Sequence, residues 1–164
     1  MKCWSNYMRI PPTKEENNVA SVLIQNATGL MLVFESQNKI AALPGGSSEE
    51  GETPEETAVR ESLEETGLSV TIEKSVASYR LIVYTRDGVE KCRFLHHLFL
   101  ASTRDSSPRP SSEWQNSGVK CRWTTLKGLK RYRKVWPLPE KVRTRISEGN
   151  MNLGDLGELE YRME

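Results

Sequence analysis

The chain has 164 residues, the length of a single domain, and its 23 basic and 22 acidic side chains give a net charge of +1. This balance excludes a protein that binds polyanions through its overall charge, although acid concentrates over residues 49–65 and base over residues 120–134. No apolar run reaches the roughly 18 residues of a membrane span, so we expect no membrane partner. The three cysteines are odd in number and lack zinc-site spacing, which favours a reducing, cytoplasmic location.

The first part of the chain predicts strands that lead to a pair of glycines. β-Branched residues in Val19–Gln25 predict a strand, and a turn joins it to a second strand at Leu30–Glu35. A third strand, Ile40–Leu43, leads through a proline to Gly45 and Gly46. Adjacent glycines allow the backbone to approach another group closely, so we expect either contact with a ligand or a simple tight turn here.

Capping signals place a helix after the glycines. Thr53 and Glu56 have the spacing of a capping box, and Pro54 suits the first helical position, where its missing N–H costs nothing. Gly67 suits the left-handed residue that follows a helix end. We therefore predict a helix over Pro54–Thr66.

The predicted helix carries an acidic face. Glu61, Glu64 and Glu65 are spaced i, i+3 and i+4, so their carboxylates lie on one side of the helix. Like charges at this spacing destabilise a helix, and anions are unfavourable near its C-terminal end. We therefore expect a cation at this face, and ligands that are all oxygen suit Mg²⁺, with Mn²⁺ as the alternative.

Strands and one long loop follow this helix. Ser69–Ile72 and Val76–Tyr84 predict strands, and a turn leads to another long strand at Val89–Leu100. Residues 102–118 are rich in serine, proline and asparagine and show no periodicity, so we predict a long loop there.

The last part of the domain adds a short strand at Val119–Trp123, a helical turn at Leu126–Leu129 and a helix at Glu140–Ser147. Basic side chains between these elements form a basic cluster, which we interpret either as a solvated face or as a contact for phosphates. The members of the basic cluster are Lys127, Lys130, Arg131, Arg133 and Lys134.

The order of the elements predicts an α/β (α+β) domain in which a mixed β-sheet lies between helices. We place the domain at residues 19–149, with a polar N-terminal arm at residues 1–18 and a loose C-terminal tail at residues 150–164. Trp4 and Tyr7 in the arm either pack on the domain or contact a second subunit, so a monomer and a homodimer both remain open.

The acidic helix and its flanks resemble the signature of Nudix hydrolases, in which glycines, glutamates and one arginine stand at set spacings. The segment Gly46–Leu68 matches it with one departure, at Ser62, where the family prefers an aliphatic residue. We expect Ser62 on the buried side of the helix, where the departure loosens packing and removes no ligand. The matching positions are Gly46, Glu52, Arg60, Glu61, Glu64, Glu65, Gly67 and Leu68.

The resemblance implies an α/β/α sandwich and a metal-dependent hydrolase. It implies that Glu61, Glu64 and Glu65 hold the metal, with the Gly45 carbonyl as a further ligand. Glu61, Glu64 and Arg60 are accordingly the expected catalytic residues. Glu61 is a candidate general base, and Arg60 is expected to act as an orienting ion-pair partner.

Family members often supply one more acid from a late loop, a few residues before a tryptophan that Trp123 resembles. Here the nearest upstream acid is Glu113, in the long loop, so the late acid is either Glu113 or absent. If it is absent, Glu61 becomes the preferred base. Glu52 is expected to brace the loop before the helix.

Three residues on strands near the expected cleft are candidate substrate contacts: Arg80, Arg93 and Tyr84. His96 and His97 are neighbours in a predicted strand, so their side chains point to opposite faces. They therefore cannot form a two-histidine metal site on one face.

The expected function is hydrolysis of a nucleoside diphosphate linked to another moiety. The substrate is then a nucleotide-type small molecule, such as a nucleoside triphosphate, a dinucleoside polyphosphate or a nucleotide sugar. Two alternatives remain open, namely a Nudix module that binds a nucleotide or RNA without cleaving it, and a decapping-type hydrolase that grips RNA with the basic cluster. The intact signature glutamates favour an enzyme, and nucleic acid is the less favoured partner.

Overall fold

Strand β1 (Asn17–Gln25) lies at the centre of a mixed sheet in the computed structural model, which describes residues 17–163. The other strands of this region are β2 (Met31–Glu35), β3 (Ile40–Ala42), β4 (Gly45–Ser47), β5 (Thr71–Tyr84), β6 (Glu90–Ser102), β7 (Lys120–Thr124), β8 (Lys134–Trp136) and β9 (Gly154–Arg162). The helices are α1 (Pro54–Thr66), α2 (Ser112–Asn116), a 3₁₀ helix (Lys127–Arg131) and α3 (Glu140–Ser147).

The sheet has the strand order β8-β3-β2-β1-β6-β5-β9, with β4 paired to β1 and β7 paired to β2. Strand β1 runs parallel to β6 along its whole length, while β5 and β6 form an antiparallel hairpin. Strand β4 pairs antiparallel with the first half of β1, on the edge that β6 leaves free. The two glycines of β4 therefore lie beside the central strand.

Alternating side chains of β1 fill two cores, one on each face of the sheet. Val22 and Ile24 belong to the core that contains Ala58 of α1. Leu23, which points to the other face, belongs to the core that contains Val142 of α3. Helices thus cover both faces, and the predicted class of a mixed sheet between helices is confirmed.

The one departure from the signature is accommodated inside α1. Ser62 is fully buried, as expected, and its hydroxyl donates a 2.7 Å hydrogen bond to the Ala58 carbonyl. Thr66 makes the same contact one turn later, on the Ser62 carbonyl. The polar groups are therefore satisfied by the helix itself, and burial of Ser62 leaves no unpaired hydroxyl.

Several elements differ from those that the sequence predicts. The strands predicted at Ser69–Ile72 and Val76–Tyr84 are one strand, β5, which continues through shifts of register. Helix α2 lies inside the segment predicted as a loop, and β4 and β8 are short strands without a sequence signal. Three-residue strands are too short to show alternation, so their existence depends on the neighbours they pair with.

The loose tail predicted for residues 150–164 is wrong over Gly154–Arg162, which form β9 parallel to β5. Leu159 is buried in the core, and Tyr161 packs edge-on against Trp136 with the ring centroids 4.9 Å apart. These few apolar contacts and the pairing with β5 order a segment whose composition is mostly polar.

The N-terminal boundary also differs from the prediction. Asn17 and Asn18 belong to β1, so the strand begins before residue 19. The rest of the predicted arm, with Trp4 and Tyr7, lies outside the described residues. Within residues 17–163, no helix combines the length and the apolar character needed to cross a membrane.

His96 is a titratable side chain enclosed by the core. It lies on β6 with no exposed surface, and its Nε2 is 2.9 Å from the Ser21 hydroxyl. Its Nδ1 has no hydrogen-bond partner in the part of the chain that the structure describes. Burial, with a smaller effect from His97, lowers the pKa of His96 from 6.5 to about 3.

This pKa predicts a pH-dependent loss of stability. Between pH 6.5 and about 3 the unfolded state binds the His96 proton and the folded state does not, so the free energy of unfolding falls as the pH falls. One proton corresponds to a slope of ~1.4 kcal/mol per pH unit. Urea unfolding of the wild type and of His96→Gln between pH 7 and pH 4 should show a shallower slope for the variant. His97→Gln, on the half-buried neighbour, is the matched control with a smaller effect, and equal slopes for all three proteins would contradict the prediction.

Candidate active site

The glycine pair is needed for contacts within the protein. A Cβ on Gly45 would lie 2.2 Å from the Ala20 carbonyl oxygen of β1, and a Cβ on Gly46 would lie 2.1 Å from Glu61 Oε1 of α1. Both distances are shorter than any real Cβ contact. The glycine pair therefore lets β4 lie close to both the central strand and the acidic helix.

The ends of α1 coincide with the capping signals of the sequence. Thr53 Oγ1 accepts a hydrogen bond from the Glu56 amide, and Glu56 Oε2 accepts one from the Thr53 amide. At the other end Gly67 adopts φ 70° and its amide donates to the Leu63 carbonyl. The predicted helix Pro54–Thr66 is confirmed, so the spacing of its glutamates on one side holds in three dimensions.

Arg60 is the cation of the acidic face. Its guanidinium donates two hydrogen bonds to Glu52, at 2.7 and 3.0 Å, and one to the Ser47 carbonyl at 3.0 Å. Its Nη1 also donates to Glu61 Oε1 at 3.0 Å and to Glu64 Oε2 at 3.3 Å. The hydrogen bonds from Arg60 lower the pKa of Glu52 to about 2. Part of the positive charge expected at this face is therefore supplied by the protein.

Glu65 differs from the other two glutamates because it is held by neutral donors. Its Oε2 accepts from the Gly45 amide at 2.9 Å, and its Oε1 accepts from the indole Nε1 of Trp114 at 3.1 Å. Burial raises the pKa of Glu65 to about 8 against these hydrogen bonds, and the charges of Glu61 and Glu113 raise it further. Glu65 is the least compensated carboxylate of the face.

Glu61 is the second half-buried acid of this face. Burial raises the pKa of Glu61, and its ion pair with Arg60 opposes this effect. A cation beside Glu61 and Glu65 would therefore stabilise the ionised forms that burial disfavours. Glu64 has a more exposed side chain, at 59%.

The segment that contains α2 is fastened to the end of α1. The Arg109 amide donates to the Thr66 carbonyl at 2.7 Å, and the Ser111 amide donates to the Glu65 carbonyl at 3.0 Å. Glu113 lies on α2, within electrostatic range of the Glu65 carboxylate. Glu113, the candidate for the late acid, thus lies at the same end of the acidic helix as Glu65.

The donor set fits a hard divalent ion by its chemistry, because carboxylates and a backbone carbonyl are oxygen ligands. Glu61 and Glu65 lie against β4, where the expected carbonyl ligand, Gly45, is located. Among residues 17–163, no three His, Cys, Asp or Glu side chains are already grouped as a metal site. Arg60 donates to one oxygen of Glu61 and to one oxygen of Glu64.

The candidate substrate contacts lie on the β5–β6 hairpin. Arg93 makes a two-point ion pair with Glu90, at 2.7 and 2.8 Å, and Arg80 pairs with Glu158 of β9 at 3.4 Å. The Tyr84 ring has the Arg162 guanidinium 5.8 Å from its centroid. The structure therefore groups these residues on one hairpin and gives each of them a partner within the chain.

Three members of the basic cluster make contacts within the chain. Lys130 pairs with Glu148 at 3.3 Å, and Arg131 donates to the Thr124 hydroxyl at 3.5 Å. Lys134 donates to the Arg162 carbonyl and lies 5.3 Å from the centroid of the Tyr161 ring. At these three residues the contacts agree with a solvated face, and the phosphate contact stays a prediction.

A comparison with models of protein families identifies the family of this chain. A model of the NUDIX domain matches residues 15–144. The chain belongs to the Nudix family. The resemblance seen in Gly46–Leu68 is confirmed, and the hydrolases of this family act on pyrophosphate bonds.

This Nudix chain is similar to one curated protein in sequence and to several solved structures in fold. The nucleoside diphosphate-linked moiety X motif 6 protein of Mus musculus is 28% identical over 127 residues, which cover 76% of this chain and 39% of that protein. The chain thus spans well under half the length of this relative.

A MutT protein from Bacillus halodurans has a TM-score of 0.66 at 18% identity, over 89% of this chain and 90% of that one. A UDP-X diphosphatase has a TM-score of 0.61 at 14% identity, over 94% and 74%. The structural likenesses show the fold.

Trp114 is the residue at this site that the sequence does not single out. It lies outside the signature, in a segment without periodicity. A single large apolar residue among serines and prolines does indicate an anchoring point for a loop, and this is the signal that could have found it.

Because their neighbours differ, we expect Gly45 and Gly46 to respond differently to substitution by alanine. Gly45→Ala places its Cβ against backbone of β1, which cannot move aside, so we expect a loss of about 2 kcal/mol or more in the free energy of unfolding. Gly46→Ala meets only the flexible end of Glu61, so we expect nearly unchanged stability and a displaced Glu61 carboxylate. Urea unfolding of both variants provides the measurement. Equal destabilisation by the two substitutions would contradict this assignment of contacts.

Proposed function

We propose that this chain is a Mg²⁺-dependent pyrophosphohydrolase that cleaves a nucleoside diphosphate linked to another moiety, and that Mn²⁺ can replace Mg²⁺. The observation that carries the proposal is the packing of Glu61 and Glu65 against the glycine strand β4. The class of substrate is supported by the names of one sequence relative, a nucleoside diphosphate-linked moiety X protein, and one structural neighbour, a UDP-X diphosphatase. The free thiols Cys92 and Cys121 support a cytoplasmic location.

Glu61, Glu64, Glu65 and the Gly45 carbonyl are the proposed metal ligands. When bound, the ion neutralises charge on phosphoryl oxygens and makes water a better nucleophile. Arg60 holds Glu61 and Glu64 on one side of the helix, and its two hydrogen bonds to Glu52 fix the guanidinium. Arg60 thereby neutralises part of the negative charge of these glutamates, which would otherwise repel a diphosphate.

Glu113 is the proposed general base, and Glu61 is the alternative. Glu61 already accepts a hydrogen bond from Arg60 and is a proposed ligand, so its oxygens are engaged. Glu113 lies on α2 at the same end of the acidic helix. A carboxylate in this place can take a proton from the attacking water.

Arg80, Arg93 and Tyr84 are the proposed substrate contacts. Their place on the β5–β6 hairpin groups two positive charges and one aromatic ring, which suits phosphate and base recognition. For Arg93, binding means that phosphate oxygens replace the carboxylate of Glu90.

The metal assignment predicts the effect of Glu64→Gln. Removal of one charged ligand should lower Mg²⁺-dependent turnover by about a hundredfold or more. Because the Glu64 side chain is exposed and its ion pair with Arg60 is worth at most about 1 kcal/mol, the fold should be retained. Glu55→Gln removes the same charge from the first turn of α1 and is the control for charge alone. Full activity of Glu64→Gln would refute the metal assignment.

A substrate panel tests the reaction itself. We expect phosphate release, after a coupling phosphatase, from at least one of ADP-ribose, dinucleoside polyphosphates, nucleotide sugars, deoxynucleoside triphosphates and capped RNA. Release should require Mg²⁺. Binding of these compounds without cleavage of any of them would support a non-catalytic Nudix module instead.

The assignment of the general base predicts that Glu113→Gln and Glu61→Gln behave differently. Loss of the base alone should lower kcat by about 10²–10⁴-fold and leave Mn²⁺ binding unchanged, which is the result expected for Glu113→Gln. Glu61→Gln should weaken Mn²⁺ binding as well as kcat. An active Glu113→Gln enzyme would return the role of base to Glu61.

A further inference from the structure

Trp114 connects a stacking interaction in the core with a carboxylate of the active site. Its side chain is only 3% exposed, and its ring stacks on Phe34 of β2 with the centroids 4.1 Å apart and the planes 2° apart. The indole Nε1 donates to Glu65 Oε1 at 3.1 Å. One side chain therefore links the sheet to the acidic helix.

The orientation of the indole is set by several independent contacts. Phe34 is fully buried, so the stacked face of the indole rests on an immobile ring. Backbone hydrogen bonds from Arg109 and Ser111 to the last turn of α1 hold the start of α2 against that helix. The Nε1–H bond consequently points at Glu65 from a fixed direction.

Two hydrogen-bond donors hold the Glu65 carboxylate. The Gly45 amide donates to Oε2 and Trp114 donates to Oε1, so both oxygens of the carboxylate have a fixed donor. Each oxygen keeps a lone pair for a further partner. Donors of this kind set the rotation of a carboxylate and thereby the direction in which its free lone pairs point.

We propose that Trp114 is a positioning residue that orients Glu65 as a metal ligand, so that metal affinity depends on an indole N–H outside the Nudix signature. The inference rests on the proposed function, since it takes Glu65 as a ligand. Packing alone is the competing explanation. Phenylalanine separates the two, because it keeps an aromatic ring on Phe34 and removes only the N–H and part of the ring.

The first experiment measures Mn²⁺ binding by electron paramagnetic resonance in the whole chain. Trp114→Phe should bind Mn²⁺ about tenfold more weakly than the wild type. Trp123→Phe is the matched control, because its indole donates to the Ser106 carbonyl of the same long segment and not to a glutamate. The control should bind within about twofold of the wild type.

The second experiment does not depend on a variant that folds. In the ¹⁵N–¹H spectrum of the wild type, the indole resonance of Trp114 should shift on addition of Mg²⁺, while that of Trp123 should stay in place. Triple-resonance spectra of the wild type assign the two resonances. In steady-state kinetics, Trp114→Phe should raise the Mg²⁺ concentration needed for half-maximal activity more than it raises KM for the nucleotide.

The outcomes separate the two proposals. If the wild type binds Mn²⁺ and Trp114→Phe binds it equally well, the positioning role is refuted and the proposed function stands. An indole resonance of Trp114 that does not respond to Mg²⁺ refutes the role in the same way. If the wild type binds no divalent ion at all, the metal-dependent function and the positioning role are both refuted.

Discussion

The hydrogen bond from the Gly45 amide to Glu65 joins the two halves of the candidate site. It requires β4 to lie against β1 and, at the same time, within reach of the last turn of α1. The first condition cannot be met with a side chain at Gly45, because a Cβ would overlap the Ala20 carbonyl. The central strand, the glycine pair and the acidic helix therefore depend on one another, and a change in any of them would displace the Glu65 carboxylate.

Glu61, Glu64 and Glu65 differ in how much of their negative charge the protein neutralises. Arg60 shares its guanidinium among Glu52, Glu61 and Glu64, so these acids are partly neutralised by the protein. Among residues 17–163, the donors to Glu65 are N–H groups of neutral residues, which orient a carboxylate but do not balance its charge, and burial raises its pKa to about 8. In the proposed function a divalent ion would supply the missing charge, and Trp114 would set the direction from which Glu65 meets it.

Local signals were sufficient for α1 and its surroundings. The capping box at Thr53 and the glycine at residue 67 act within one turn of the helix ends, so both boundaries could be predicted from neighbouring residues. The same reasoning failed for β9, where pairing with β5 and the contact between Tyr161 and Trp136 provide the order. It also failed for α2, whose five residues are too few to show a helical period.

The sequence by itself determined the family, the acidic face and its spacing, because these are properties of residues close together along the chain. It also indicated the mixed sheet between helices through the order of strand-like and helical segments. Only the tertiary structure decided what the glycines approach and which side chain holds Glu65. Those contacts join residues such as Glu65 and Trp114, 49 positions apart, whose meeting depends on how the whole chain packs.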